Sequence, residues 1–266
     1  MDFYSIASGS SGNCIYIGSD HSCVLIDAGI SYKRILEGLH RIGKSAQDIT
    51  AILVTHEHSD HISGLGVLSR KIQVPIYATA PTIRQIMRYS PLGKVDESLF
   101  RTVEADLPFT VGDLDIEAFH ISHDAADPVA YRIESGGRAA AVATDMGCYN
   151  GYTLAHLKDL DVVLVESNHD VNMLQVGPYP YPLKRRILSE KGHLSNVSAG
   201  MLLTQILNDH MKAAYLGHLS KTNNYEALAY ATVINELAAD EQCPYREGDI
   251  PIHVASRDCP TDLLHF

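Results

Sequence analysis

Tryptophan is absent from the 266-residue chain, phenylalanine occurs only five times, and no Cys-x-x-Cys pair exists among the five cysteines Cys14, Cys23, Cys148, Cys243 and Cys259. An odd cysteine count without paired spacing argues against a disulfide framework and fits a reducing cytoplasm. Basic charge is scarce as well: 21 Lys and Arg face 32 Asp and Glu, a formal net charge of −11. Such a chain has no global attraction to phosphate backbones or anionic lipid. A nucleic-acid partner would have to be met by a local basic surface or by bound cations. The opening "MDFYSIASGSSGNCIYI" lacks a basic segment leading into an apolar stretch, so no secretory signal is visible. No run reaches the roughly 20 apolar residues that span a bilayer, which argues against a membrane partner. No helix-turn-helix, zinc-finger or oligonucleotide-barrel pattern is present, and "GSSGN" is not the glycine fingerprint of a dinucleotide-binding turn. Nor does a linker divide the chain. "GPYPYPLKRR" is the only proline-dense stretch, too short to separate domains, and the expectation is one domain over 1–266.

Hydrophobic residues make up 45% of the chain, enough for a full core, and histidine is its most unusual feature, with 14 copies. The N-terminal segments "DFYSIAS", "CIYIGS" and "CVLIDAG" read as short strands separated by glycine and serine. Tyr32 to His40 has helical periodicity, and "ITAILVTH" is a near-continuous apolar run of the kind a sheet covered on both faces requires. A strand and a helix starting around Pro81 follow, then strands in "LFRTVEA", "FTVGDLDIEAFHIS" and "PVAYRIES". Further strands are expected in "GRAAAVATDMG", "DVVLVESNHD", "KAAYLGHLS" and "DIPIHVAS". Helices are expected from Val197 to His210, capped by Ser195 or Asn196, and in "NNYEALAYATVINELAA". The same strand–polar loop–helix plan in both halves predicts two similar layers enclosing one core, an α/β/β/α arrangement. Four apolar runs, "ILVTHEHSDH", "AAAVATDMG", "DVVLVESNHD" and "AAYLGHLS", end in ionisable residues, and in α/β sheets ligands bind at such strand ends.

The segment "THEHSDH" is the strongest chemical signal, placing His56, His58, Asp60 and His61 within six residues directly after a strand. Imidazole and carboxylate together suit zinc, manganese or non-haem iron. Four ligands this close cannot all wrap one ion comfortably. His56 and His58 can face one ion while Asp60 and His61 face a second, roughly 3.5–4 Å away. Other strand ends offer the remaining ligands: His123 in preference to His120, Asp145 as the bridging carboxylate, and His218 on the second ion.

In these residues the chain resembles the metallo-β-lactamase fold superfamily, whose HxHxDH signature matches His56, His58, Asp60 and His61, with His123, Asp145 and His218 following in order. More narrowly, "SIASGSSGNCIYI", "LIDAG", "THEHSDHISGLGVLSRK", "ISHDAADPVAY", "ATDMG", "VESNHD" and "GHLSN" are similar to the YycJ/WalJ group of bacterial metal-dependent hydrolases. The resemblance implies an αββα sandwich with a dinuclear site at one edge, and a 5′→3′ exonuclease acting on DNA. It is shared with a group linked to mismatch repair and to cell-wall regulation in firmicutes. Larger nucleases of the superfamily carry an inserted domain that clamps RNA or DNA. Here the span from Asp145 to His218 leaves no room for one. Flavodiiron oxidoreductases of the same fold have Glu where this chain has His58, which argues against redox chemistry with oxygen or nitric oxide.

The expected chemistry is hydrolysis assisted by two divalent ions, zinc or manganese, with iron also accepted by this donor set. Both ions would acidify a shared water so that hydroxide is the nucleophile near neutral pH. Asp60 would bind one ion and orient that hydroxide. His193, in "KGHLSN", is the candidate general acid, with Glu166 holding its other ring nitrogen; His169 is the substitute. Ser10 and Asn13 could orient a substrate oxygen, although a tight turn needs the same residues. Asp27 is expected to brace the histidine loop. Lys184, Arg185, Arg186 and Lys191 form the densest basic patch, with Tyr179 and Tyr181 placed to stack on a base. A long groove lined by Arg185 and Arg186 would favour a polymer. A closed apolar pocket would favour a thiolester, lactone or cyclic phosphodiester. A metal-stabilised binding protein without activity would instead close its coordination completely. The sequence leaves a homo-oligomer open.

Overall fold

A computed structural model describes all residues from Met1 to Phe266. The chain opens with three strands, β1 (Asp2–Ala7), β2 (Cys14–Gly18) and β3 (Cys23–Ile26), followed by α1 (Tyr32–Arg41). Next come β4 (Ala51–Leu53), the short α2 (Ser59–Ile62), α3 (Leu65–Ile72), β5 (Ile76–Thr79), α4 (Ala80–Arg88) and β6 (Phe100–Val103). The second half contributes β7 (Phe109–Val111), β8 (Leu114–His120), β9 (Val129–Ser135), β10 (Arg138–Ala143), α5 (Gly151–His156), β11 (Val162–Glu166), α6 (Val171–Val176) and α7 (Tyr181–Ile187). It ends with α8 (Asn196–Ile206), β12 (Ala213–Gly217), α9 (Glu226–Ala239), β13 (Ile252–Val254) and β14 (Leu264–His265).

Two seven-stranded sheets result, ordered β14-β1-β2-β3-β4-β5-β6 and β13-β12-β11-β10-β9-β8-β7. Each combines an antiparallel part with a parallel run, β3 to β6 in one and β10 to β13 in the other. Parallel strands need covering on both faces, and three hydrophobic clusters provide it. Phe3, Ile17, Ile26 and Leu53 of the first sheet meet Ile116, Tyr131, Val142 and Leu164 of the second. Helices α1, α3 and α4 pack outside the first sheet through Ile35, Leu39, Leu68 and Ile86. Leu202 and Leu203 of α8 and Val233 and Leu237 of α9 cover the second. The architecture is therefore the expected four-layer αββα sandwich.

Local chemistry explains most boundaries. The Ser195 hydroxyl accepts the Ser198 N–H at 3.1 Å and caps α8, and Pro81 lies in the first turn of α4. The expectation covered α1, α4, α8 and α9 but not α2, α3, α5, α6 or the edge strand β14, and three expected segments differ in detail. Helix α8 stops at Ile206, not His210, because the Asn208 side chain bonds the Leu160 carbonyl and accepts the His210 N–H, holding a turn. The "ITAILVTH" run supplies only the three-residue strand β4. The proline-dense stretch, expected as a loop, folds into α7 with Pro182 in its first turn. No helix is long and apolar enough to cross a membrane.

Candidate metal centre

All the candidate ligands lie at one edge of the sandwich, where β4, β8, β10 and β12 end. His56 and His58 follow β4, and Asp60 and His61 belong to the single turn of α2. His123 lies beyond β8, Asp145 beyond β10 and His218 beyond β12. Asp27, Asp145 and His218 each adopt a left-handed backbone, with φ of 62°, 60° and 55°. This conformation is uncommon outside glycine but favours Asp and His among the other residues. It turns each side chain back across the strand ends. Close backbone approach completes the loop, since a Cβ added to Gly29 would overlap the Asp60 carbonyl.

The donors fall into two groups joined by one carboxylate. His56, His58 and His123 have nitrogen atoms within 4.8 Å of one another, and Asp60, His61 and His218 form an equivalent group. Asp145 reaches both: one oxygen lies 2.9 Å from His61 Nε2, the other 3.7 Å from His123 Nε2 and 3.6 Å from His218 Nε2. Donors also group across these sets: His56, His61 and Asp145 lie within 4.8 Å of one another, as do Asp145, Glu166, His193 and His218.

Hydrogen bonds from behind set the imidazole tautomers. His61 Nδ1 donates to Asp27 at 2.6 Å, His123 Nδ1 to the Gly192 carbonyl at 3.1 Å, and His218 Nδ1 to Glu166 at 2.8 Å. The Thr55 hydroxyl donates to Asp27 and therefore accepts from His56 Nδ1 at 3.0 Å. Each contact leaves an Nε2 lone pair facing inward, the arrangement that outer partners impose on metal-binding histidines. His56 Nε2 is buried with no hydrogen-bond partner. A lone pair on His61 Nε2 facing an Asp145 oxygen calls for a cation or a proton between them. The donor set fits divalent metal on these grounds.

Proton affinities carry the same signature. Burial drives His56 well below the ordinary imidazole value, reinforced by His61. Burial also works against charge on His61 and His218, but the carboxylates overcome it. Asp27, Asp145 and Asp60 hold His61 well above the ordinary value, and Asp145, Asp60 and Glu166 raise His218 to about 10. The Asp145 carboxyl is lowered by His218 and His61 against its own desolvation. Metal binding would displace these protons.

Beyond the ligand groups, Glu166 is fully buried, with one oxygen accepting from His193 Nδ1 and His218 Nδ1 at 2.8 Å each. Its other oxygen accepts the Met146 and Leu194 N–H groups. Both Glu166 oxygens are thus engaged, one by the two imidazoles and the other by backbone N–H groups. His193, not His169, is the histidine on Glu166, and both ring nitrogens of buried His169 lack partners. His120 stands apart, its side chain half exposed and paired with Asp127. Asn13 meets the cluster, its amide nitrogen 3.2 Å from His61 Nε2, whereas Ser10 is exposed in the turn. Arg186 is engaged by Asp124 at 2.5 and 2.9 Å, beside His123, while Arg185 and Tyr181 are exposed on α7. Sequence reasoning missed Thr55, although it directly precedes His56, and missed Ser8, whose hydroxyl accepts the His218 N–H.

Comparisons with known proteins agree with this geometry. A family model described as a beta-lactamase superfamily domain matches residues 23–246. Exodeoxyribonuclease WalJ of Streptococcus pneumoniae is 44% identical over 265 residues, covering 99% of this chain and 97% of that protein. Exodeoxyribonuclease YycJ of Bacillus anthracis is 40% identical over 266 residues, covering 100% of this chain and 99% of that protein. Among solved structures, the metallo-beta-lactamase fold protein YhfI of Bacillus subtilis superposes with a TM-score of 0.72 at 15% identity, covering 99% and 98% of the two chains.

Proposed function

The chain belongs to the metallo-β-lactamase superfamily, close to its WalJ and YycJ exodeoxyribonucleases, and from that membership and the geometry of the centre we propose that it is a 5′→3′ DNA exonuclease. The observation that carries the hydrolase reading is the pair of histidine groups joined by Asp145, with His56, His61, His123 and His218 turning Nε2 inward and His58 meeting His123 through Nδ1. The names and coverage of the two relatives support DNA as the substrate, and support one domain over the whole chain. His56, His58 and His123 would hold one divalent ion, Asp60, His61 and His218 the other, and Asp145 both. Zinc and manganese suit these donors equally. Two such ions supply Lewis acidity for the phosphoryl oxygens and a water acidic enough to attack near neutral pH.

The chain's own residues do the rest. Asp60, 22% exposed at its side chain, faces the cleft and accepts a hydrogen bond from the attacking water while its other contacts run to His218 and His61. His193 is held by Glu166 through Nδ1, which leaves Nε2 to donate a proton to the leaving 3′-oxygen. Burial opposes protonation of His193, but Glu166 and Asp145 raise its pKa above the ordinary imidazole value, as a proton donor at cellular pH requires. Asn13, buried with its amide against the Gly9 and Asp60 carbonyls and His61, braces the ligand turn instead of reaching a substrate oxygen. Lys184, Arg185 and Lys191 with Tyr181 form a rim for the incoming strand, a local basic surface on an acidic protein. A reduced cytoplasm is the proposed compartment, given the free cysteines. Manganese- or zinc-loaded protein incubated with 5′-phosphorylated duplex and single-stranded DNA should shorten it progressively from the 5′ end. Turnover of a small thiolester with intact DNA would replace this reading with that of a small-molecule hydrolase.

A further inference from the structure

We propose that the cavity between the loop after β12 and the segment after β13 is a pocket for one nucleobase, seating the 5′-terminal residue of the DNA while the phosphate on its 3′ side lies at the metal centre. The pocket rests on the DNA-hydrolase reading above, and neither the ligand motif nor the basic rim anticipates it.

The cavity measures about 470 Å³, and Leu219, Tyr225, Glu226, Ala255, Ser256 and Arg257 are among its lining residues. Its position ties it to the centre. Leu219 follows His218 directly, and its carbonyl accepts from Arg257 Nη2 at 3.2 Å. The Ser256 carbonyl accepts the Ser8 N–H at 3.1 Å, and the Ser8 hydroxyl accepts the His218 N–H at 2.9 Å. Gly9 donates to Asn13, whose amide meets His61. The pocket thus adjoins the Asp60–His61–His218 group. Helix α7 adjoins the other group, through Arg186, Asp124 and His123.

Chemistry of the lining selects the occupant. Arg257 is the only cation, against the carboxylates of Glu226 and Asp258, so a phosphate has no net electrostatic reason to enter. A nucleobase does. Tyr225, 56% exposed, presents a ring for stacking, and Leu219 and Ala255 add apolar wall. The two carboxylates can accept exocyclic amino groups. The Arg257 guanidinium is itself tied to the wall, with Nη2 donating to the Leu219 carbonyl and Nη1 buried. The volume lies within the roughly 300–1,000 Å³ typical of small-ligand sites, enough for one base with its sugar. A strand entering along α7 would therefore end here, and each cycle would release a mononucleotide.

The test compares the wild type, Tyr225→Ala and Tyr225→Phe, all loaded with manganese. On end-labelled DNA, Tyr225→Ala should raise KM about tenfold or more with little change in kcat, and Tyr225→Phe should restore KM. The loss in kcat/KM on DNA should exceed that on bis(p-nitrophenyl) phosphate, which has no base, by about tenfold. Calorimetric titration with dCMP, which needs no turnover, should show weaker binding to Tyr225→Ala than to wild type. Products longer than one nucleotide, an unchanged KM, or equal dCMP binding by both proteins would overturn the pocket. Wild-type protein that leaves DNA intact, whether or not it turns over bis(p-nitrophenyl) phosphate, would overturn the DNA-hydrolase reading, while the dCMP titration would still decide the pocket.

Discussion

Each sheet places a buried carboxylate behind a histidine at the cleft, and the two differ in what hangs on them. At the end of β3, Asp27 holds His61 Nδ1 at 2.6 Å and also the Thr55 N–H and hydroxyl, so it organises one loop whose ligands are contiguous in sequence. At the end of β11, Glu166 holds His218 and His193, which arrive from separate loops 52 and 27 residues away along the chain. Local backbone geometry already keeps the first group together. The second exists only because β10, β11 and β12 pair in parallel register, with Val165 opposite Leu216 and Ala143 opposite Val165. The carboxylate in the second sheet therefore has more to coordinate and more to lose.

The largest effect should come from cutting into a ligand group itself. His58→Ala is expected to abolish hydrolysis and reduce bound metal, measured by elemental analysis of dialysed protein; full metal content with full activity would remove His58 from the centre. His193→Ala should lower kcat by about 10²–10⁴-fold while leaving metal content intact. Because Glu166 and Asp145 raise its proton affinity, the limb it controls in the wild-type pH–rate profile lies above the ordinary imidazole value, with activity falling as pH rises through it. That limb should vanish in the variant.

The comparison of the two carboxylates is sharpened by Glu166→Gln and Asp27→Asn. Either should weaken metal affinity about 10–100-fold. Only Glu166→Gln should also depress kcat at saturating metal, because only Glu166 orients His193. Equal kcat losses in the two variants would break the distinction. The smallest effect is expected at the rim. Arg185→Ala should weaken DNA binding by a few-fold, with a salt dependence shallower by about one counterion. Its thermal unfolding should stay within about 0.5 kcal/mol of the wild type, since the side chain is exposed.

Much of this was legible before any fold was known. The order of β1 to β13 and of α1, α4, α8 and α9 followed from apolar runs, glycine punctuation and caps, whereas the short helices α2, α3, α5 and α6 went unread. "THEHSDH" announced its chemistry because four donors share six residues. Where reading by pattern fell short, a tertiary contact had intervened. Asn208 reaches Leu160 and ends α8 early, and the proline-dense stretch becomes a helix with Pro182 in its first turn and Ile187 buried at its end. Glu166 looked like a partner of His193 alone because the distance from β11 to the loop after β12 is not written along the chain. The Tyr225–Arg257 cavity was invisible for the same reason, being assembled from two loops whose strands are neighbours only in the sheet.

The amino-acid order by itself determined which side chains could bind a cation, since donor chemistry and short-range spacing are local properties. Which nitrogen each histidine turns inward, which carboxylate joins the two groups and which becomes a brace were decided by the tertiary structure. Those outcomes depend on strand register, on left-handed turns at Asp27, Asp145 and His218, and on hydrogen bonds between residues far apart in the chain.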